Sequence, residues 1–240
     1  MRTWCGCVLL LLLPVSVFAQ APEPPPAREG TAEFAFVSTT GNASTQTMGL
    51  SSEVIFRPGS WVVKNRAAFV RNKSEDVLTA EAFLYLFRTE KVLASRLSGF
   101  GEYSYFVDEF AGIDNRNSLL AGLAYTLVNL SDHAFVVDAG FGYLNEQRLA
   151  GNDVSTGTYA FGGAYKWRIS PTAEFSDDVR YTGTFAEADD WRAVNVASLT
   201  TRITTVFSLK LSNIVRYAHL PVEGFKDTDT TTSVALVAKF

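Results

Sequence analysis

The chain has 240 residues with 21 Lys+Arg against 25 Asp+Glu, a formal net charge of −4. That length suits one all-β domain, and the balance excludes the basic surface that nucleic-acid binding requires, so no nucleic-acid partner is expected. Aromatic residues reach 13%, with 18 Phe and 9 Tyr, yet only one long apolar run exists, at the amino terminus.

That run extends from Val8 to Leu13 and on to Phe18, behind Arg2, and ends in Val17-Phe18-Ala19. It predicts a signal peptide over residues 1–19, cut after Ala19, since it is too short to cross a bilayer as a helix. Cys5 and Cys7 both fall inside it. The mature chain is therefore expected to have no disulfide, no thiolate metal site and no thiol nucleophile. Residues 20–30 read QAPEPPPAREG, a Pro-rich periplasmic linker with nothing to bury.

From residue 31 to residue 240 the chain breaks into about twelve alternating segments separated by turn residues. They are expected near Thr31–Ser38, Thr45–Arg57, Trp61–Asn72, Val77–Thr89, Ala94–Asp108 and Arg116–Val128. The others fall near Ala134–Asn145, Ser155–Arg168, Ala173–Thr184, Trp191–Phe207, Leu209–His219 and Thr230–Phe240. Their period is two, the period of a strand. Phe135, Val137, Ala139, Phe141 and Tyr143 alternate with Val136, Asp138, Gly140 and Gly142; Tyr159, Phe161, Gly163, Tyr165 and Trp167 alternate with Ala160, Gly162, Ala164, Lys166 and Arg168. One face is apolar and aromatic near its ends, the other small, polar or charged. That is the lipid-out, lumen-in pattern of a transmembrane barrel; a soluble, lipocalin-like barrel needs the reverse.

Loop lengths sort the same way. Short connections (Pro58–Ser60, Glu90–Leu93, Asn129–His133, Ser170–Thr172 and a minimal turn at Ser208) alternate with mostly longer, more acidic ones. Outer-membrane barrels have short periplasmic turns and longer external loops. The fold expected is all-β: a transmembrane antiparallel β-barrel of about twelve strands over residues 31–240, after a cleaved signal peptide.

Two places break the pattern. Val77–Thr89 is apolar on both faces, so either Phe83, Tyr85 and Phe87 fill part of the lumen or a bulge shifts the register. Asp177 falls on the lipid face between Phe175 and Val179, which points to a misplaced register or another bulge.

Residues with chemistry are few. His133 sits at a short turn and His219 near a long loop, at opposite rims. A hydrolase pair of Ser212 and His219 is disfavoured, because seven residues along a strand place them about 23 Å apart. Asp227-Thr228-Asp229 lacks the glycine and terminal glutamate of a calcium loop. No enzyme activity, cofactor or metal is expected. Acidic loop residues are read as solvated, bridged by divalent cations to lipopolysaccharide phosphates. The inner face is expected to carry Glu53, Arg66, Glu102, Asp138, Lys166, Arg168, Glu174, Asp178, Arg180 and Arg202. Both signs interleave, so the lumen is either a charge-selective pore or a salt-bridged, narrow or occluded interior, the second being favoured. In the last strand, Val234, Leu236, Ala238 and Phe240 share the apolar face and are read as the signal for the barrel-assembly machinery.

Four stretches resemble the salt-induced outer-membrane proteins, the YdiY-like family of Gram-negative bacteria. They are Thr40-Gly41-Asn42-Ala43-Ser44, Arg57-Pro58-Gly59-Ser60-Trp61, the run from Gly99 to Arg116, and Gly224 to Thr230 leading to Phe240. The resemblance covers Gly30 to Phe240. It implies an outer-membrane barrel, surrounded by lipid and lipopolysaccharide, whose biochemistry is not established and whose name refers to expression under salt stress. Within the most specific stretch, Asp108, Asp114 and Arg116 are expected to form an Asp–Arg bridge that folds an external loop.

Overall fold

Alternating segments pair with their chain neighbours until the last meets the first. In the computed structural model, which describes residues 26–39 and 45–240, this yields twelve strands. They are β1 (Arg28–Thr39), β2 (Thr45–Phe56), β3 (Trp61–Ser74), β4 (Val77–Ala94), β5 (Leu97–Asp108) and β6 (Ile113–Asn129). The second half comprises β7 (His133–Arg148), β8 (Val154–Arg168), β9 (Ala173–Thr184), β10 (Trp191–Arg202), β11 (Phe207–Ala218) and β12 (Thr228–Lys239). All pairs are antiparallel and β1 bonds both β2 and β12, so the sheet is a closed barrel. The expected cleavage site at Ala19 and the Thr40–Ser44 motif lie outside the described residues. β1 begins at Arg28, inside the segment expected to be linker.

The closing seam is short and tightly specified. Thr31 to Phe34 pair with Lys239 to Leu236. Gly30 N–H then donates to Phe240 O at 2.8 Å, and Phe240 N–H donates back to Gly30 O at 2.9 Å. The Phe240 ring lies over Gly30, where an added Cβ would meet it at 2.4 Å. The missing side chain thus makes room for the terminal aromatic to cover the seam. Val234, Leu236 and Ala238 share its face, opposite Leu211, Leu209 and Phe207 of β11.

Register carries this parity around the ring. Leu236 pairs with Phe34, Phe34 with Leu50, Leu50 with Phe69, and Phe69 with Phe83, all on the outer face. Outward aromatics gather toward both ends of the strands. Near the long-loop mouth Tyr159, Tyr181, Trp191 and Tyr217 follow one another at ring separations of 6.2, 5.5 and 5.1 Å. Near the short-turn mouth His133 stacks on Trp167 at 5.8 Å, and Phe135 packs edge-on to Tyr165 at 6.3 Å.

Both breaks in the sequence pattern have physical resolutions. In β4 the register shifts beside Lys73, leaving Thr79 unpaired between Leu78 and Ala80; its hydroxyl donates to Asn72 O at 3.3 Å. This bulge sends Phe83, Tyr85 and Phe87 outward and Leu84 and Leu86 into the lumen, so the aromatics do not fill it. Asp177 needs no bulge. It stays on the outer face opposite Tyr165 and Ala197 in an unbroken register, and its carboxylate accepts from Asn195 Nδ2 at 2.6 Å. Two turns also move: β4 runs to Ala94 and turns at Ser95-Arg96, not at Glu90–Leu93, and β10 ends at Arg202 with the turn at Ile203–Val206, not at Ser208.

Removing Phe240 takes away the last seam bonds and uncovers Gly30. Membranes from cells expressing the truncated chain are expected to contain several-fold less heat-modifiable barrel on unboiled gels, with Gly30→Leu giving a milder loss. Normal barrel levels after the deletion would remove both roles.

Candidate functional site in the barrel lumen

The inner face is where charge and burial coincide. Arg88 of β4 faces Glu102 of β5 directly across the pair. Its Nη1 donates to Glu102 Oε2 at 2.9 Å, its Nε to Glu90 Oε1 at 2.6 Å, and its Nη2 reaches Asp138 Oδ2 of β7 at 3.3 Å. From the other side Arg180 of β9 donates through Nη1 to Asp138 Oδ1 at 2.9 Å and lies 3.7 Å from Glu102. Side chains from β4, β5, β7 and β9 therefore meet inside the ring. Between β7 and β9, Gly162 of β8 leaves the space clear: it pairs with both Asp138 and Arg180, and a Cβ there would meet Asp138 Oδ1 at 2.6 Å. The guanidinium of Arg88 also sits 3.9 Å above the Phe100 ring, which packs with Leu120, Ala124 and Ala160 on the inner wall. Arg88, Glu102 and Asp138 are only 9, 13 and 12% exposed. Charges so shielded persist because each finds opposite charge and several hydrogen bonds.

A second cluster lies at the long-loop mouth. Glu146, 0% exposed, is held by Arg116 at 2.5 Å, Arg148 at 2.6 Å and Arg192 at 3.2 Å. Arg192 also lies 3.4 Å from Asp190. Above this cluster the loop between β11 and β12 folds over the opening. It buries Val222 with Ala82, Phe106 and Ile113, inward residues of β4, β5 and β6. The third region is the short-turn mouth, where Asp178 is exposed to the lumen within Coulomb range of Lys64, Lys166, Arg66 and Glu53. Arg168 faces Glu174 at that rim, and Arg202 donates to Pro171 O at 2.7 Å.

All ten expected lumen charges thus share the inward parity, but they divide. Glu102, Asp138 and Arg180 form the bridge, Glu53, Arg66, Lys166 and Asp178 line the open half, and Arg168, Glu174 and Arg202 mark the rim. The expected loop bridge is not formed. Asp108 instead caps a 3-10 turn by accepting from Ala111 N–H at 3.1 Å, Asp114 accepts from Asn115 Nδ2 at 3.1 Å, and Arg116 turns inward to Glu146. The strand bulges at Asp114, so Asp114 leaves the face that Arg116 occupies.

Sequence reasoning missed Arg88, Glu146, Arg148 and Arg192. Arg88 lies in the segment whose faces alternation cannot separate. Alternation ends the seventh segment at Asn145 and so leaves Glu146 and Arg148 outside it, whereas β7 runs on to Arg148. Arg192 shares parity with Arg202 and was legible on that signal alone. Ser212 and His219 do not meet: Ser212 is buried on the inner wall, and His219 stacks on the outward Trp191 at 5.1 Å.

A family model described as a protein of unknown function, DUF481, matches residues 32–240. The chain is 24% identical over 228 residues to the uncharacterized protein YdiY of Escherichia coli (strain K12), covering 92% of this chain and 88% of that one. Among solved structures it is similar to the NanC porin, with a TM-score of 0.51 at 11% identity over 88% of this chain and 98% of that one. An outer membrane channel from Pseudomonas putida F1 gives the same TM-score and identity over 90% of this chain and 96% of the channel. At such identities the likeness is one of fold.

Replacing Glu146 leaves three arginines facing one another. Glu146→Gln is expected to lower stability by about 3 kcal/mol in urea unfolding of the reconstituted barrel. Asp114→Asn, at an exposed side chain outside the cluster, should change it by less than about 0.5 kcal/mol.

Proposed function

The chain belongs to the DUF481 family, and from the charged bridge that spans its lumen we propose that it is a bacterial outer-membrane barrel enclosing a narrow solute pathway that is shut at rest. In this reading the short turns face the periplasm, the long loops face outward, and lipid and lipopolysaccharide surround the apolar band. No chemistry is assigned to it: the serine and histidine that a surface hydrolase would need lie on different faces of the wall. An envelope role under salt stress rests on the family resemblance alone.

The observation that carries the reading is the convergence of Arg88 and Arg180 on Asp138 and Glu102. These four side chains come from strands spread over nearly half the ring. A fixed network of opposite charges leaves a hydrated ion no continuous water column along that side of the lumen, whereas a porin keeps its signs apart and its centre open. Below the bridge the periplasmic half is wide enough to expose Asp178. The pathway is therefore a vestibule that narrows to a charged constriction, passing small hydrophilic solutes only when the constriction yields.

Planar-bilayer recording checks this. The wild-type barrel is expected to give rare, brief openings, and Arg88→Ala/Arg180→Ala to raise their number and duration at least several-fold. Steady ion-selective steps from the wild type would overturn the closed reading, and a variant as silent as the wild type would show that the bridge is not the barrier.

A further inference from the structure

We propose that the loop between β11 and β12, residues 219–227, is a lid that closes the external mouth by docking its tip on the opposite wall. The proposal rests on the pathway reading above and adds where, and from which side, that pathway opens.

The loop is anchored at its base and apolar at its tip. Ala218 N–H donates to Asp227 O at 2.8 Å, and His219 N–H donates to Trp191 O of β10 at 3.0 Å, so both ends are tied to the barrel rim. Between them Phe225 N–H donates to Val222 O at 3.0 Å, and Gly224, with φ +87°, turns the chain back on itself. The tip so formed presents Val222 and Phe225. β11 and β5 are six places apart in a ring of twelve, so they stand on opposite walls. Even so, Val222, 5% exposed, packs on Ala82, Phe106 and Ile113 of β4, β5 and β6. The loop therefore crosses the opening and does not stand away from it.

The receiving wall is shaped for the tip. Gly112, between β5 and β6, has φ +75°, and a Cβ there would meet the Phe225 ring at 2.7 Å and Val222 Cβ at 2.8 Å. The glycine serves the turn and also leaves the lid its seat. From beneath, the Arg216 guanidinium of β11 reaches to 5.7 Å from the Phe106 ring, whose other neighbours include the Arg116 guanidinium at 5.6 Å. The space left beneath the tip is small, about 80 Å³, lined by Arg116, Glu146, Arg192, Arg216 and Asp229 among others. The fastening itself consists of Val222 and Phe225, the two side chains of the loop that join the apolar cluster on the far wall, on a segment that also carries Leu220, Pro221, Glu223, Lys226 and Asp227. A contact that slight, on a segment tied at its base, is the kind that opens locally while the barrel stays folded.

Cysteine accessibility reads the lid directly, without conductance. Ala82→Cys places a thiol on the inner wall under the tip, and Glu223→Cys places one on the loop. In barrels reconstituted in liposomes and probed with a membrane-impermeant maleimide, Ala82→Cys is expected to react at least tenfold more slowly than Glu223→Cys. Adding Val222→Ser/Phe225→Ser should raise the Ala82→Cys rate at least tenfold, in barrels that keep their heat-dependent gel mobility. Equal rates at the two cysteines with the native loop would overturn the lid, whether or not the serine variant folds, and so would an unchanged Ala82→Cys rate in the folded serine variant. Bilayer recording separates the two claims. If the serine changes speed labelling but add no openings even with Arg88→Ala/Arg180→Ala, the lid stands and the pathway reading fails.

Discussion

Closure of the ring governs the rest of the structure. A backbone amide or carbonyl set in an apolar band finds no water, so every strand must end its hydrogen bonds on another strand. Eleven hairpin connections satisfy eleven seams; the twelfth must be made between residues at opposite ends of the chain. Gly30 and Phe240 make it with two reciprocal bonds, and Phe34 opposite Leu236 locks its phase. Because side chains alternate strictly, that phase then dictates which face each residue takes around the wall, with bulges as the only places where it slips.

This explains why a carboxylate is tolerated on the outer face at Asp177. Turning it inward by one residue would also turn Phe175, Val179 and Tyr181 inward and put Glu174, Asp178 and Arg180 outside. One charge near the aromatic belt, satisfied by Asn195, costs less than three charges on the apolar face. The same alternation loads the interior with both signs. In a twelve-strand ring, arginine side chains are long enough to reach carboxylates two or three strands away, and burial strengthens the attraction once they meet. The lumen is thus divided along its axis into an open vestibule at the short-turn end, a bridged waist and a long-loop mouth where Glu146 gathers three arginines beneath a folded loop.

Much of this was legible in the residues. Phe135, Phe141 and Tyr143, and Tyr159, Phe161, Tyr165 and Trp167, stand outward as their period requires, and the described connections at one rim are mostly longer than those at the other, with the tight turn at Glu75-Asp76 as the exception. Less legible were the points where a strand outruns its pattern. Glu146 and Arg148 look like loop residues because they sit in the polar, charged run Asn145-Glu146-Gln147-Arg148, yet backbone pairing with Arg116 and Ile113 of β6 keeps them in β7. The outward direction of Phe83, Tyr85 and Phe87 depends on the bulge at Thr79, since Leu84 and Leu86 offer the other face no contrast in polarity.

The sequence by itself determined the class of fold, the strand number and the faces outside β4, because period-two alternation and turn chemistry are local properties read within a few residues. Only the tertiary structure decided who meets whom inside. Arg88 and Asp138 are 50 residues apart, and Val222 and Phe106 come from opposite walls. Such contacts depend on the curvature of the closed ring and the reach of side chains across it, and no window of sequence contains either.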